Sequence, residues 1–168
     1  MADYFPGKIE IGGVIKRKVL PQLVEQINLT EASIDSWDSP HNSSYNIRDI
    51  EEKINNDGII ILCNTEARYG EFPELETWLV KNKISFNRHS SARYENDAEF
   101  VVCRFDKNNQ AIKEIFYTIE NESILVRRES VLKAYRLLEK NKISQAMKIL
   151  SKEIRPEIDL TLSPVKLI

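Results

Sequence analysis

Asp57-Gly58-Ile59-Ile60-Ile61-Leu62-Cys63, then Asn64-Thr65-Glu66-Ala67-Arg68-Tyr69-Gly70-Glu71, then Phe72-Pro73-Glu74-Leu75, is the stretch on which the fold turns. The apolar run Ile59–Cys63 is too short for a helix and rich in β-branched isoleucine. It reads as a central strand buried on both faces. Asp57-Gly58 before it suits a helix stop, and Pro73 suits the first turn of the next helix. The order is therefore helix, strand, loop, helix. The polar segment between strand and helix carries carboxylates, a guanidinium, a phenol and a glycine, and loops after buried strands commonly carry sites.

Outward from there the chain keeps the same grammar. Lys8–Ile15 begins with apolar and polar alternation and reads as a first strand, with Gly12-Gly13 marking a bend or a close backbone approach. That pair lacks the further residues of a dinucleotide or P-loop fingerprint. Val19, Leu20, Leu23, Val24 and Ile27 recur at helical spacing, with Pro21 in the first turn. Ala32–Trp37 suits a short edge strand, and the polar stretch after it holds His41. Asn46 can cap a helix over 47–56. Ile84–His89 alternates as a strand, as does Ala98–Phe105. The polar turn Asp106–Gln110 then makes a hairpin with 112–119. These elements predict an α+β fold: a mixed β-sheet with helices packed on one face, plus a C-terminal helical hairpin.

Three units follow: an α+β sheet domain over 1–126, a helical hairpin over 127–156 docked on it, and a C-terminal tail over 157–168. In the hairpin, Val131, Leu132, Tyr135 and Leu138 share one face. Ser144 can cap the second helix, with Ala146, Met147, Leu150 and Ile154 expected inward. The run Ala134–Met147 resembles one tetratricopeptide unit, but no repeat occurs at that period. The tail carries Leu160, Leu162, Val165, Leu167 and Ile168. It is expected either to be unstructured or to add to a neighbouring surface as a strand.

Composition bounds the function classes. The 168 residues are 42% hydrophobic and 30% charged, which suits one ordinary folded domain. No apolar run approaches the ~20 residues that span a bilayer, and no basic and apolar leader opens the chain. Cys63 and Cys103 each sit in an apolar strand, as reduced buried thiols do, so a cytoplasmic setting and no membrane partner are expected. Charge is uneven. Residues 1–80 hold seven Lys/Arg against fourteen Asp/Glu, whereas 127–155 hold nine against three. Such a division suits an acidic partner, nucleic acid or self-association.

Two stretches echo each other, Ala67-Arg68-Tyr69 and Ala92-Arg93-Tyr94. If both loops meet at one end of the sheet, Glu66, Arg68, Tyr69, Glu71, His89, Arg93, Tyr94, Glu95 and Asp97 form one neighbourhood. Arg and Tyr together anchor interfaces, while alternating Arg and carboxylate also build salt-bridge networks. No catalytic constellation stands out. A metal-dependent nuclease or phosphotransferase would use Glu66, Asp97 and Glu99 on a cation with Arg93 or Arg104 on phosphate, but the Glu-x-Lys pattern is missing at Glu99. Nucleophilic catalysis would pair Cys63, Cys103, Ser90 or Ser91 with His89, without an elbow motif. The expectation is a small non-enzymatic protein, without cofactor or metal, that binds another macromolecule, a protein partner first. The alternative is a nucleic-acid-associated protein using Arg127, Arg128, Lys133, Arg136, Lys140, Lys148 and Lys152 on phosphates.

Overall fold

The computed structural model describes residues 3–37, 44–92, 97–106, 108–118, 126–154 and 160–168. Its frame is a six-stranded antiparallel sheet. In chain order the strands are β1 (Tyr4–Gly12), β3 (Ser33–Ile34), β4 (Ile60–Arg68), β5 (Ser85–Ser90), β6 (Ala98–Phe105) and β7 (Ala111–Thr118). Their spatial order is β3-β4-β1-β5-β6-β7. Among the described residues parallel pairing is confined to a separate two-stranded unit, β2 (Val14–Ile15) with β8 (Lys166–Leu167). The α+β class and the single helical layer of the sequence reading hold.

The capping chemistry works as the residue types suggest. Helix α2 (Ile47–Asp57) opens on a full capping box. The Asn46 side chain accepts from the Arg48 and Asp49 amides, and Asp49 accepts from the Asn46 amide at 2.7 Å. It stops at Gly58, whose φ of 72° lets its amide reach the Ile54 carbonyl. Helix α1 (Leu20–Leu29) takes Pro21 in its first turn, and α3 (Pro73–Lys81) takes Pro73 there. These three helices cover one face of the sheet. Ile9, Ile11, Ile60, Leu62, Phe86, Val101 and Cys103 meet Leu23, Ile27, Ile50, Ile54, Leu75 and Leu79 in one core. Fully burying each such side chain contributes about 1.5–3 kcal/mol.

Strand β4 is longer than its apolar run. Asn64–Arg68, expected as loop, continues the strand because it pairs with Tyr4, Phe5 and Gly7 of β1, upstream of the Lys8 start read from alternation. Pro6 hides this pairing. The register slips between Phe5 and Gly7, a bulge that spares Pro6 from donating to a ladder. β1 is thus a middle strand, flanked by β4 and β5, and β4 is interior as well, between β3 and β1.

The tail does add as a strand, and its neighbour is its own chain. The Lys166 amide donates to the Gly13 carbonyl at 2.9 Å, the Ile168 amide to Ile15, and the Arg17 amide to Ile168. Leu162 is buried over Gly12, where a Cβ would collide with Leu162 and the Ser163 carbonyl. Arg104 holds the tail from the sheet's other face, donating to the Leu160 carbonyl at 3.0 Å and to Asn87 Oδ1 at 2.8 Å.

The hairpin consists of α4 (Arg128–Glu139) and α5 (Ile143–Ile154), joined through Asn141 at a φ of 54°. Alanine makes the helix–helix contact: Ala134 and Ala146 are almost fully buried. Met147, expected inward, is exposed, because it lies one residue and so about 100° around the helix from Ala146. Ser144 is not the cap either. The Gln145 and Ala146 amides turn back to the Lys142 carbonyl, which places Ser144 inside the first turn.

Candidate functional site

Two places gather polar or apolar groups that packing alone does not demand. The first lies at the β4–α3 turn. Tyr69 and Gly70 both take left-handed backbone, with φ of 56° and 66°, and the Glu71 amide closes on the Arg68 carbonyl at 3.1 Å. Glycine is required at 70, since a Cβ would stand 2.7 Å from that of Ser90. Tyr69 is a bulky side chain in a region such residues rarely adopt. Its amide is satisfied by the Asp3 carbonyl at 2.8 Å, and the Arg68 guanidinium lies over its ring at 5.6 Å.

Beneath this turn sits Arg88, only 2% exposed. Strand parity puts it there: Phe86, Arg88 and Ser90 alternate onto the helical face, paired with Ile11, Ile9 and Gly7 of β1. A buried guanidinium must be neutralised and hydrogen-bonded. Its Nε lies 3.0 Å from Glu76 Oε1, though off the hydrogen-bond line. Nη2 reaches Glu99 at 3.2 Å and Glu71 at 3.4 Å, and Nη1 donates to Ser90 Oγ. Glu76 is itself buried at 7% exposure and takes Lys113 on its second oxygen at 2.9 Å. Two cations and three carboxylates thus form one knot linking the β4–α3 turn, α3, β5, β6 and β7.

Over the knot opens a cavity of about 220 Å³ lined by Phe5, Tyr69, Glu71, Ser90, Asp97 and Glu99. Of the residues expected to meet, Tyr69, Glu71 and Asp97 do so here. Arg68 stands beside them on Tyr69, and Glu66 is exposed outside the lining. His89 is on the opposite face, stacked on Phe100 at 4.4 Å between ring centroids, because it is one residue out of phase with Arg88. Arg93, Tyr94 and Glu95 lie outside the described residues, as does His41. Glu76, Arg88 and Lys113, none of them among the expected site residues, are the centre of the knot. The signal for Arg88 was its parity with Phe86, and for Glu76 its i, i+3 relation to Leu79.

The chemistry available here is charge storage. Ser90 Oγ donates to the Gly70 carbonyl at 2.9 Å and accepts from Arg88, so no base activates it. Arg104 is spent on the tail. Burial raises both thiols, that of Cys103 to about 11, so neither is a ready nucleophile. Among the described residues, no group of three His, Cys, Asp or Glu side chains comes together as a metal holder.

The second place is the α4–α5 hairpin. Val131, Leu132, Tyr135, Leu138, Ile143 and Met147 are all exposed, Ile143 and Tyr135 at 60% and 58%. On α4 they fall at i, i+1, i+4 and i+7, an unbroken stripe. Arg127 is already paired within the hairpin. It is bound to Glu153 at 2.5 Å, and Ser130 donates to the same carboxylate at 2.7 Å. The guanidinium first, then the hydroxyl, pull the Glu153 carboxyl down to about 2. Arg128, Lys133, Arg136, Lys140, Lys148 and Lys152 are exposed around the stripe. No helix among the described residues is long and apolar enough to cross a membrane. No family model matches the chain, and no curated protein or solved structure matches it either.

Proposed function

We propose that this is a non-enzymatic binding protein that captures a protein partner on its helical hairpin. The observation that carries the reading is the exposed apolar stripe of α4 and α5. Six large side chains face water on 24 helical residues, four of them on one stripe of α4, whereas the exposed apolar side chains of the sheet domain, such as Leu29, Trp37 and Ile47, are spread along the chain. Contiguous apolar surface of this kind, rimmed by polar residues, marks interaction sites. A two-helix unit also leaves a groove into which a third amphipathic helix fits. The rim is basic, so the partner segment is an amphipathic helix with acidic flanks. Both cysteines are buried and unpaired, which supports a reducing, cytoplasmic setting.

The Arg68–Tyr69 surface is the lesser anchor, since its neighbouring charges are already paired with one another. A direct test is capture of synthetic amphipathic helices that differ only in flank charge, read by fluorescence anisotropy. Acidic-flanked peptides are expected to bind, and Tyr135→Ser with Met147→Ser to weaken them at least tenfold. Equal binding of acidic- and basic-flanked peptides, or retention by the double variant, would refute the reading. Tighter binding of duplex DNA than of any peptide would transfer the hairpin to nucleic acid.

A further inference from the structure

A third feature lies at the other end of the sheet from the β4–α3 turn. The segment after β2, the α3–β5 turn and the β6–β7 turn converge on a cleft of about 520 Å³. Four lysines line it, Lys16, Lys18, Lys81 and Lys83, with Asn109 and an apolar wall that includes Val14. Among the described residues no carboxylate lines it, and none of the four lysines has an ion-pair partner. Arg17, between two of them in sequence, turns away and pairs with Glu51 at 2.9 Å. The cleft therefore selects alternate members of a basic triplet and leaves their charge uncompensated, in a chain whose net charge is −2.

One of the four has an ordinary explanation. Lys81 ends α3, where a cation suits the negative end of the helix dipole. Lys83 has the opposite standing. It follows α3 in a Schellman motif: its amide donates to the Val80 carbonyl at 3.1 Å, and the Ile84 amide to Leu79 at 3.0 Å. Its φ is 60°, the position that glycine normally fills. A lysine there is a local cost that brings a charge to the cleft. Strain retained at one residue is a pointer to function when the side chain has somewhere to act.

We infer that this cleft binds a compact, multiply phosphorylated small anion. Lysines are compact point charges suited to phosphate. The volume falls in the ordinary range for small-ligand sites, roughly 300–1,000 Å³. The lining has no aromatic side chain, so it lacks the stacking platform that single-stranded nucleic acid requires. The cleft is separate from the hairpin stripe, and the inference stands independently of the partner-binding reading.

The test uses inorganic tripolyphosphate and the full chain, with sulfate at matched ionic strength as the control. Saturable binding by calorimetry is expected for tripolyphosphate, weakening as salt is raised. Replacing Lys16, Lys18 and Lys81 by Gln is expected to weaken it at least tenfold. Lys133→Gln with Lys140→Gln on the hairpin is expected to leave it unchanged. Lys83→Gly is the decisive single variant. Glycine relieves the backbone, so the melting temperature is expected to hold or rise while affinity falls severalfold. Absence of saturable binding, equal binding of sulfate, undiminished affinity in Lys83→Gly, or tighter binding of an oligonucleotide through the same lysines would each overturn the inference.

Discussion

The sheet domain and the hairpin solve opposite problems with similar residues. In the sheet domain an arginine and a glutamate go inside, where Arg88 and Glu76 answer each other and draw in Glu71, Glu99 and Lys113. In the hairpin, Val131, Leu132, Tyr135, Leu138, Ile143 and Met147 stay outside, and Ala134 and Ala146 are the fully buried side chains among the described residues. The difference teaches where each region keeps its free energy. The sheet domain is held by groups that cannot be removed without leaving a partner stranded. The hairpin carries apolar surface whose burial remains available to something else.

The largest expected break in this contrast comes from Arg88→Ala. It leaves Glu76 buried with only Lys113 and opens a void beside Val101. Removing one member of a buried ion pair costs about 3–5 kcal/mol, so chemical denaturation should show an unfolding free energy lower by that amount. A shift below about 1 kcal/mol would mean the knot is hydrated and the sheet domain less closed than its geometry indicates.

A smaller effect is expected from acid. The Glu153 carboxyl is held at about 2 in the folded hairpin, against about 4.3 in an unfolded chain. Because the folded value is depressed, the stabilisation is fully present above pH ~4.3 and is lost as pH falls from there towards 2. Circular dichroism over that window should show helix loss that Glu153→Gln flattens. An unchanged acid profile in the variant would show that Arg127 and Ser130 do not fasten α4 to α5.

The smallest effect sharpens the contrast most. Single replacements of Tyr135, Ile143 or Met147 by Ser should each shift stability by no more than about 0.5 kcal/mol, as exposed positions do. Thermal melts would check this. A loss of 2 kcal/mol or more at any of them would show the stripe already buried against the chain itself, and the hairpin would then belong to the sheet domain's economy.

Much of the fold was legible because local chemistry set it. Asn46, Gly58 and Pro73 each fixed a boundary through a backbone requirement that the residue type alone announces. The helical positions of the core followed from spacing. Pro6 defeated the same logic, since a bulge in a middle strand looks like a strand end until the partner strand is known. The tail was unreadable in detail because its pairing with Val14 and Ile15 is a contact across nearly the whole chain. The candidate site was half legible. Tyr69, Glu71 and Asp97 were brought together by loop position, whereas Arg88 was passed over because an arginine in an alternating strand is normally assigned to the solvent side. The α4 part of the hairpin stripe was seen as a face, and Met147 of α5 was assigned inward. Sequence periodicity reports that a helix has an apolar side, and it does not report what that side meets.

The clasp of residues 160–168 on β2 has a consequence for synthesis. The loop it closes spans about 150 residues, and closing a loop costs free energy only logarithmically in its length. The thermodynamic burden is modest, but the timing is not. On the ribosome, β1, β2 and the Gly12-Gly13 bend emerge first, and the residues that seal them emerge after both hairpin helices. Until then Gly12 lies uncovered beside an exposed strand edge, the kind of surface on which nascent chains pair wrongly. A hairpin that folds from purely local contacts just before the tail appears would shorten the effective distance the tail must search. The same two helices, proposed to offer a surface to a partner, would then first serve as the spacer that lets the chain close on itself.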